Sequence, residues 1–378
     1  MIALYIRELD IKGGTHKQFY YLADFLLRNN VDFKIITNSV DFKKTYDSFT
    51  LLENKIFCIE RQTSENNFRK IYFYLNYILK LRKALNGVKI INIHDHGLQL
   101  ILPFLFNKKI IWQINDLPTE FKSKQNESLF NKLKKIYIKI STKLFVDKVT
   151  VNVKKNSYRV KNLMGAKAQV LYCGIEKVNI KRELDSTLLR FKNKKINILT
   201  SGVFMPYRNY ETAVKVVENL INKGFDVNLQ IIGSIELNPE YSNSILNLII
   251  NKKLANNIKV LGQVSEKEFL DLHMNADIFM FINIDQSWGL AVFEAMSCGI
   301  PVILSESVGA TEILEDRKDC VFVDPINDIQ ISDEIITLIN DPKNYSKYYY
   351  NGIEFAENYT WDKSYSSNVL RLIEELAN

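Results

Sequence analysis

The sequence predicts an α/β fold of two Rossmann-like domains facing each other across a cleft, and three observations carry that prediction. Short apolar runs of strand character alternate with helix-period segments along most of the chain. Strands alternating with helices form βαβ units and a parallel sheet. At 378 residues the chain is long for one core and comfortable for two domains. A polar stretch, KVNIKRELDSTLLRFKNKK (177–195), separates two such halves and reads as their connection. The expected division is an N-terminal domain at 1–180, a C-terminal domain at 181–360 and a closing helix at 361–378 that packs back towards the N-terminal domain.

The elements follow in order. IALYIREL (2–9) is a strand, Gly13 and Gly14 make a loop, and QFYYLADFLLRNN (18–30) has helical period. VDFKIIT (31–37), KIINIH (89–94) and KIIWQIN (109–115) are strands, the last two separated by a helix pattern in GLQLILPFLF. A basic helix spans 126–148, where Leu129, Leu133, Ile136, Ile140 and Leu144 recur at a spacing of three to four and predict a core face. Lys132, Lys134, Lys135, Lys139 and Lys143 cover its other sides. VDKVTVNV (146–153) and AQVLYCG (168–174) complete the first half.

In the second half INILTSG (196–202) is a strand, ETAVKVVENLINKG (211–224) a helix with Gly224 after its end, and VNLQIIG (227–233) a strand. Two helix patterns flank KVLGQV (259–264). ADIFMFIN (276–283) and CVFVDP (320–325) are further strands, and helical segments close the chain.

Composition narrows the function. The 47% hydrophobic and 25% charged content is that of a globular protein. Cys58, Cys173, Cys298 and Cys320 show no CxxC and sit in apolar context, so buried free thiols in a reducing compartment are expected. No ligand-spaced Cys/His cluster is present, so no metal site is expected. MIALYIRELD runs straight into a strand, and no run of 18 apolar residues occurs, so neither a signal peptide nor a membrane span is expected. A cytoplasmic protein follows, with peripheral contact to the inner face of a membrane as an addition.

That addition comes from charge. Residues 1–185 hold 33 Lys+Arg against 17 Asp+Glu, a net of +16, and the remainder holds 17 against 26, a net of −9. Such asymmetry points one half at a negative partner. The lysine faces of 126–148 and of KIYFYLNYILKLRK (70–83) are either solvated surfaces or attracted to anionic lipid headgroups. No nucleic-acid module is visible, so nucleic acid is not the expected partner.

The chemistry concentrates in QSWGLAVFEAMSCGIPVILS (286–305). A strand ends, a loop turns, and an apolar helix starts near Gly289. The unpaired amides of such a start and the helix dipole form an anion site. Glu294 lies inside the helix, where its carboxylate can accept from a vicinal diol such as a ribose 2′,3′ pair. Gly299 and Pro301 stop the helix.

This pattern, a strand, then WGL, xxxEAMxCGxPV and a second strand, followed by Gly309, Ala310, Thr311 and Glu312, resembles the donor signature of family-4 retaining glycosyltransferases of the GT-B fold. The likeness covers most of the chain. GGTHKQFYYLADFL (13–26), YCGIE (172–176), SGVFMPYRNYETAV (201–214), IIGS (231–234) and WDKSYSSNVLRLIEEL (361–376) are similar to family segments in the family's order.

The resemblance implies a nucleoside diphosphate sugar as substrate and a glycan or lipid-linked acceptor. It also implies retention of configuration and no cofactor or obligatory metal. It places the diphosphate on Arg208 and on the amides of Ser287, Trp288, Gly289 and Leu290, the ribose on Glu294 and the sugar hydroxyls on Gln286. Gly14, Thr15, Gly202, Gly233 and Val264 line the donor by their backbone. Asn115, His94 and His96 face the acceptor, and Asp116 joins the catalytic group at a strand end.

Three departures stand out. The family's first motif glutamate is Gln286, its first diphosphate cation is Val203, and an acceptor-side histidine is Asn115. They keep open a non-catalytic, partner-binding subunit beside the transferase, and a sugar-nucleotide epimerase on the same two-domain scaffold is the other alternative.

Overall fold

The computed structural model describes residues 1–62, 64–94, 96–121, 128–176 and 182–377. Asp95, the first two residues of the expected basic helix and 177–181 of the expected connection lie outside the described residues. The chain divides into two compact units, Met1–Gly174 with Trp361–Asn378, and Ile175–Thr360.

The first unit is built on strands β1 (Ile2–Ile6), β2 (Phe33–Thr37), β3 (Ile56–Cys58), β4 (Ile90–His94), β5 (Lys109–Ile114), β6 (Lys148–Val151) and β7 (Ala168–Val170), with helices α1 (Gly14–Arg28), α2 (Asn67–Ala84), α3 (Leu129–Phe145) and α4 (Lys154–Met164). The sheet order is β3-β2-β1-β4-β5-β6-β7, and every pairing is parallel. Every residue of β1 and β4 is buried, as expected where helices cover both faces of a parallel sheet. The order reverses between β1 and β4, which opens a crevice at their C-terminal ends.

Several expectations change here. α1 begins at Gly14 rather than Gln18, because Gly13 caps it in extended backbone and the first polar turn carries no apolar period. The helix expected in GLQLILPFLF is only a 3₁₀ turn at Leu102–Leu105, since Pro103 supplies no N–H for a longer ladder. The apolar stripe of α3 is not a core face. Leu129, Leu133, Ile136, Ile140 and Leu144 are 53–73% exposed, and Ile138, Ser141 and Thr142 are buried instead. Helical period shows that a stripe exists but not which way it faces. The small inner face lets α3 sit close, and the Thr142 hydroxyl is satisfied by the Ile138 carbonyl at 2.7 Å. Cys58 is exposed on the three-residue edge strand β3, whereas Cys173, Cys298 and Cys320 are buried free thiols.

The second unit holds α5 (Leu184–Lys192), β8 (Lys195–Ser201), α6 (Tyr210–Asn222), β9 (Asp226–Ile232), α7 (Pro239–Asn251), β10 (Ile258–Gly262), α8 (Glu266–Asn275), β11 (Ile278–Phe281), α9 (Leu290–Ser297), β12 (Val302–Ser305), β13 (Val321–Val323), α10 (Asp328–Asn340) and α11 (Pro342–Asn358). Its parallel sheet runs β10-β9-β8-β11-β12-β13, with the switch point between β8 and β11. Val214, Val217 and Leu220 of α6 join Ile198, Leu229 and Ile278 in its core.

The segment expected as a connection is in large part α5, a member of this unit. Its polarity serves a buried carboxylate. Asp277 is fully buried and takes Arg190 Nη2 at 2.5 Å and the Asn197 amide at 2.8 Å. Arg182, 3% exposed, donates to the Tyr345 hydroxyl at 2.8 Å and to the Asp277 carbonyl at 3.3 Å. Buried charges persist only when paired in this way.

The chain closes in the first unit with α12 (Ser367–Ala377). Trp361 stacks on Tyr21 of α1 at 5.0 Å, and Asp362 takes the Arg28 guanidinium in a bidentate pair at 2.9 and 3.0 Å. Among the described residues, no helix is long and apolar enough to cross a membrane.

Candidate functional site

In the second unit the expected donor residues gather on the loops at the β8/β11 switch point. The loop after β8 carries Gly202 to Arg208, and the loop after β11 carries Gln286 to Gly289. The two loops are tied together, because the Ile284 amide donates to the Tyr207 carbonyl at 2.7 Å. The second loop is tied in turn to Gly309–Glu312: Gly309 N–H donates to the Gln286 carbonyl and Ala310 N–H to the Trp288 carbonyl, each at 3.0 Å. The resemblance gave Gly309–Glu312 only as following the second strand in sequence, and these bonds bring the segment to the loop.

Two glycines pack the strand ends and seat the arginine. A Cβ on Gly233 would stand 1.9 Å from the Gly202 carbonyl oxygen, and one on Gly202 would stand 2.4 Å from Arg208 Cζ. The backbone at the end of β9 therefore lies directly on Gly202, and the guanidinium lies on the face Gly202 leaves bare. The rest of its cage is aromatic. Arg208 Cζ is 5.1 Å from the Tyr207 ring centroid and 5.9 Å from that of Phe281. Its Nε is buried without a hydrogen-bond partner, and among the described residues Arg208 forms no ion pair. A cation held by rings and bare backbone, with donors to spare, suits a ligand oxyanion.

Asn209, which sequence reasoning passed over, sets this geometry. It takes the left-handed conformation (φ +59°) at the N-cap of α6 and donates through Nδ2 to the carbonyls of Ile282 (3.2 Å) and Pro325 (2.6 Å). One side chain thus pins the loop to the ends of β11 and β13. Its only trace in sequence is an Asn immediately before a helix, a residue type that tolerates φ > 0. Asn283, also missed, is 1% exposed at the end of β11 with Nδ2 unpartnered.

α9 starts from Gly289, itself left-handed (φ +96°), so its first-turn amides open beside that same loop. Trp288 is buried and stacks on Phe293 at 5.1 Å, so it supports the loop from inside. Glu294 is half-buried on α9, Gln286 and Ser287 are half-buried, Leu290 is half-buried, and Asp285 is exposed. Val264 follows β10, two residues past its end, beside the capping box of α8.

In the first unit one of the expected acceptor-side residues, Asn115, belongs to a polar network under α1, while His94 lies in the same row of the sheet outside its hydrogen bonds. Ile6, His94, Gln113 and Thr150 are register partners in one row across β1, β4, β5 and β6. Thr150 donates to Gln113 (2.6 Å), Gln113 to Asn115 (2.9 Å), and Asn115 Nδ2 to Gln18 (2.6 Å) and Thr15 (3.2 Å). Asn156 donates to the Asn115 carbonyl at 2.9 Å. Asn115 is thus a structural junction, and Gln113 and Gln18, which sequence reasoning did not single out, hold it. Asp116 is exposed and accepts from the Leu117 amide at 2.9 Å.

A cavity of about 250 Å³ opens above this network, lined by Arg7, Gly14, Thr15, His16, His94 and His96 among others. His16 Nε2 lies 2.9 Å from the Glu8 carbonyl. His94 is fully buried, edge-on to Phe19 at 4.9 Å, and neither ring nitrogen has a hydrogen-bond partner among the described residues. Burial, with His16 beside it, pushes the His94 imidazole down to about 3. It is neutral at physiological pH.

The unfolded chain titrates His94 near 6.5, so protons bind the unfolded state preferentially between that value and about 3. His94 therefore leaves the fold unperturbed above pH 6.5 and destabilises it progressively as pH falls towards 3. In His94→Gln the loss of unfolding free energy between pH 7 and pH 4, read from urea titrations, should shrink by an amount on the order of a few kcal/mol. Identical pH profiles for the two proteins would show that His94 is not held neutral.

Residues 181–355 match the family model described as glycosyl transferases group 1. The chain is 22% identical over 339 residues to an uncharacterized glycosyltransferase of Methanocaldococcus jannaschii, covering 88% of this chain and 89% of that one. It is 24% identical over 267 residues to the capsular polysaccharide biosynthesis glycosyltransferase CapH of Staphylococcus aureus, covering 68% and 70%. The crystal structure of Anabaena HepE in complex with UDP shares its fold, with a TM-score of 0.78 at 15% identity over 99% of this chain and 100% of that one. Two parallel Rossmann-like sheets thus give the chain the GT-B fold, and over most of its second unit it is similar to the glycosyl transferases group 1.

Proposed function

We propose that the protein moves a sugar, with retention of configuration, from a UDP- or GDP-sugar to a glycan or lipid-linked acceptor in the synthesis of a cell-envelope polysaccharide or glycolipid. The observation that carries this reading is the Arg208 guanidinium laid on Gly202 at the switch point, its Nε buried and unpartnered. In that place it would take diphosphate oxygens and stabilise the leaving group as its charge develops. The amides of Ser287 to Leu290 would share the diphosphate, Glu294 would accept from the ribose and Gln286 from the sugar. Gly202, Gly233 and Val264 would border the nucleotide by their backbone. In the first unit Gly14 and Thr15 would offer amides to the donor, Asn115, His94 and His96 would face the acceptor, and Asp116 would join the catalytic group. Cations and amides at the diphosphate would make a resident metal unnecessary.

Support comes from HepE, solved with UDP and also with UDP-glucose, and from CapH, named for capsular polysaccharide biosynthesis. The basic first unit would bring the enzyme to an anionic inner membrane face, where lipid-linked acceptors lie.

The test is a thermal-shift panel of UDP, GDP, ADP, dTDP and CMP with their common sugar conjugates. A ligand at 100 times its Kd adds about 2.7 kcal/mol, a rise of several degrees for a domain of this size. One diphosphate family should produce it, and Glu294→Ala should weaken that ligand by about 10- to 100-fold through lost charge-assisted hydrogen bonds. No shift with any nucleotide would overturn the donor assignment. Product NMR decides between retention and inversion.

A further inference from the structure

The outer faces of α2 and α3 are used by nothing described above. The two helices are neighbours, for Tyr74 of α2 and Tyr137 of α3 both donate to the Leu100 carbonyl, at 3.1 and 2.9 Å. Each shows an apolar stripe to solvent. Phe68, Ile71 and Leu75 are 50–86% exposed, and Ile136, Ile140 and Leu144 are 53–67% exposed. The flanks are cationic: the 18 residues of α2 and the 17 of α3 hold ten Lys or Arg and no Asp or Glu. One of the ten, Lys134, pairs with Glu120 at 2.5 Å.

An exposed apolar surface of this extent marks a partner. A second copy of the same face would set cation against cation. Nucleic acid would match the charge but offer the Leu and Ile side chains no apolar phase. An anionic bilayer satisfies both features, because headgroups meet the cations, lysine stems snorkel, and the stripe enters the acyl boundary.

We propose that α2 and α3 together are the membrane-docking surface, lying in the plane of an anionic leaflet with both stripes inserted. This gives the membrane contact of the preceding reading a defined face, and its test does not pass through the donor site.

Full-length protein would be sedimented with vesicles of phosphatidylcholine alone and of phosphatidylcholine with phosphatidylglycerol. Binding is expected only to the second, and Ile136→Ser with Ile140→Ser should weaken it about tenfold or more. Trp112, Trp288 and Trp361 are at most 3% exposed, so Leu144→Trp supplies a clear reporter whose emission should shift to the blue on those vesicles. Circular dichroism and an unchanged Tm would show that the serine variant is folded. No binding to anionic vesicles would overturn the proposal. So would binding that high salt abolishes and the serines leave untouched, or tighter binding to a single-stranded oligonucleotide than to vesicles. Vesicle binding without any nucleotide shift would count against the donor reading alone.

Discussion

Arg208→Ala should lower sugar transfer by about two to three orders of magnitude and abolish the nucleotide thermal shift, with little change in the Tm of the free protein. The side chain is half-buried, forms no ion pair among the described residues and is held by ring faces, so the fold gives up only weak contacts when it goes. Arg208→Lys should recover only part of the loss, because a compact ammonium cannot grip two phosphate oxygens as a planar fork does. Gly202→Ala should reproduce the defect without touching the arginine. Its new Cβ would fall 2.4 Å from Arg208 Cζ, at the movable end of a flexible side chain, so the guanidinium would swing away, and the φ of +151° at Gly202 adds a backbone strain of about 1–3 kcal/mol. The readout is kcat/KM together with nucleotide Kd. Wild-type values in Arg208→Ala would remove the arginine from the diphosphate.

Gly233→Ala should instead damage the unit that carries the site. Gly233 has φ +149°, a conformation L side chains rarely adopt, and its Cβ would meet the Gly202 carbonyl oxygen at 1.9 Å. Here the obstacle is backbone on both sides. Strain at a positive φ and overpacking each cost about 1–3 kcal/mol, so a loss of about 3–5 kcal/mol is expected. For a unit of this size that lowers Tm by about 10 °C. The contrast with Gly202→Ala separates the two glycines: one seats the arginine, the other lets two strand ends touch. A Gly233→Ala protein with the wild-type melting curve would show that β8 and β9 do not approach so closely.

Much of this could be read along the chain. Most strands of both sheets coincide with an expected apolar run, because a parallel sheet buried on both faces demands one, whereas the exposed three-residue edge strand β3 was not expected. The 286–305 motif marked the loop and α9 correctly as neighbours, since a short apolar helix stopped by Gly299 and Pro301 has few ways to fold. Other features lay outside that kind of reasoning. Arg182 and Arg190 looked like linker charges until β11 brought Asp277 between them. Asn115 looked like an acceptor contact, and only the register of β5 and β6 under α1 makes it the junction of a hydrogen-bonded row.

The sequence by itself determined the class of fold and the order of most of its elements, because these follow from local period, residue type and spacing. Only the tertiary structure decided which face of α3 is buried, which carbonyls Asn209 holds and what Gly233 presses against. Those depend on what another part of the chain leaves open. A helix repeats every 3.6 residues whichever side meets the core, and an amide finds its partner in space rather than in sequence.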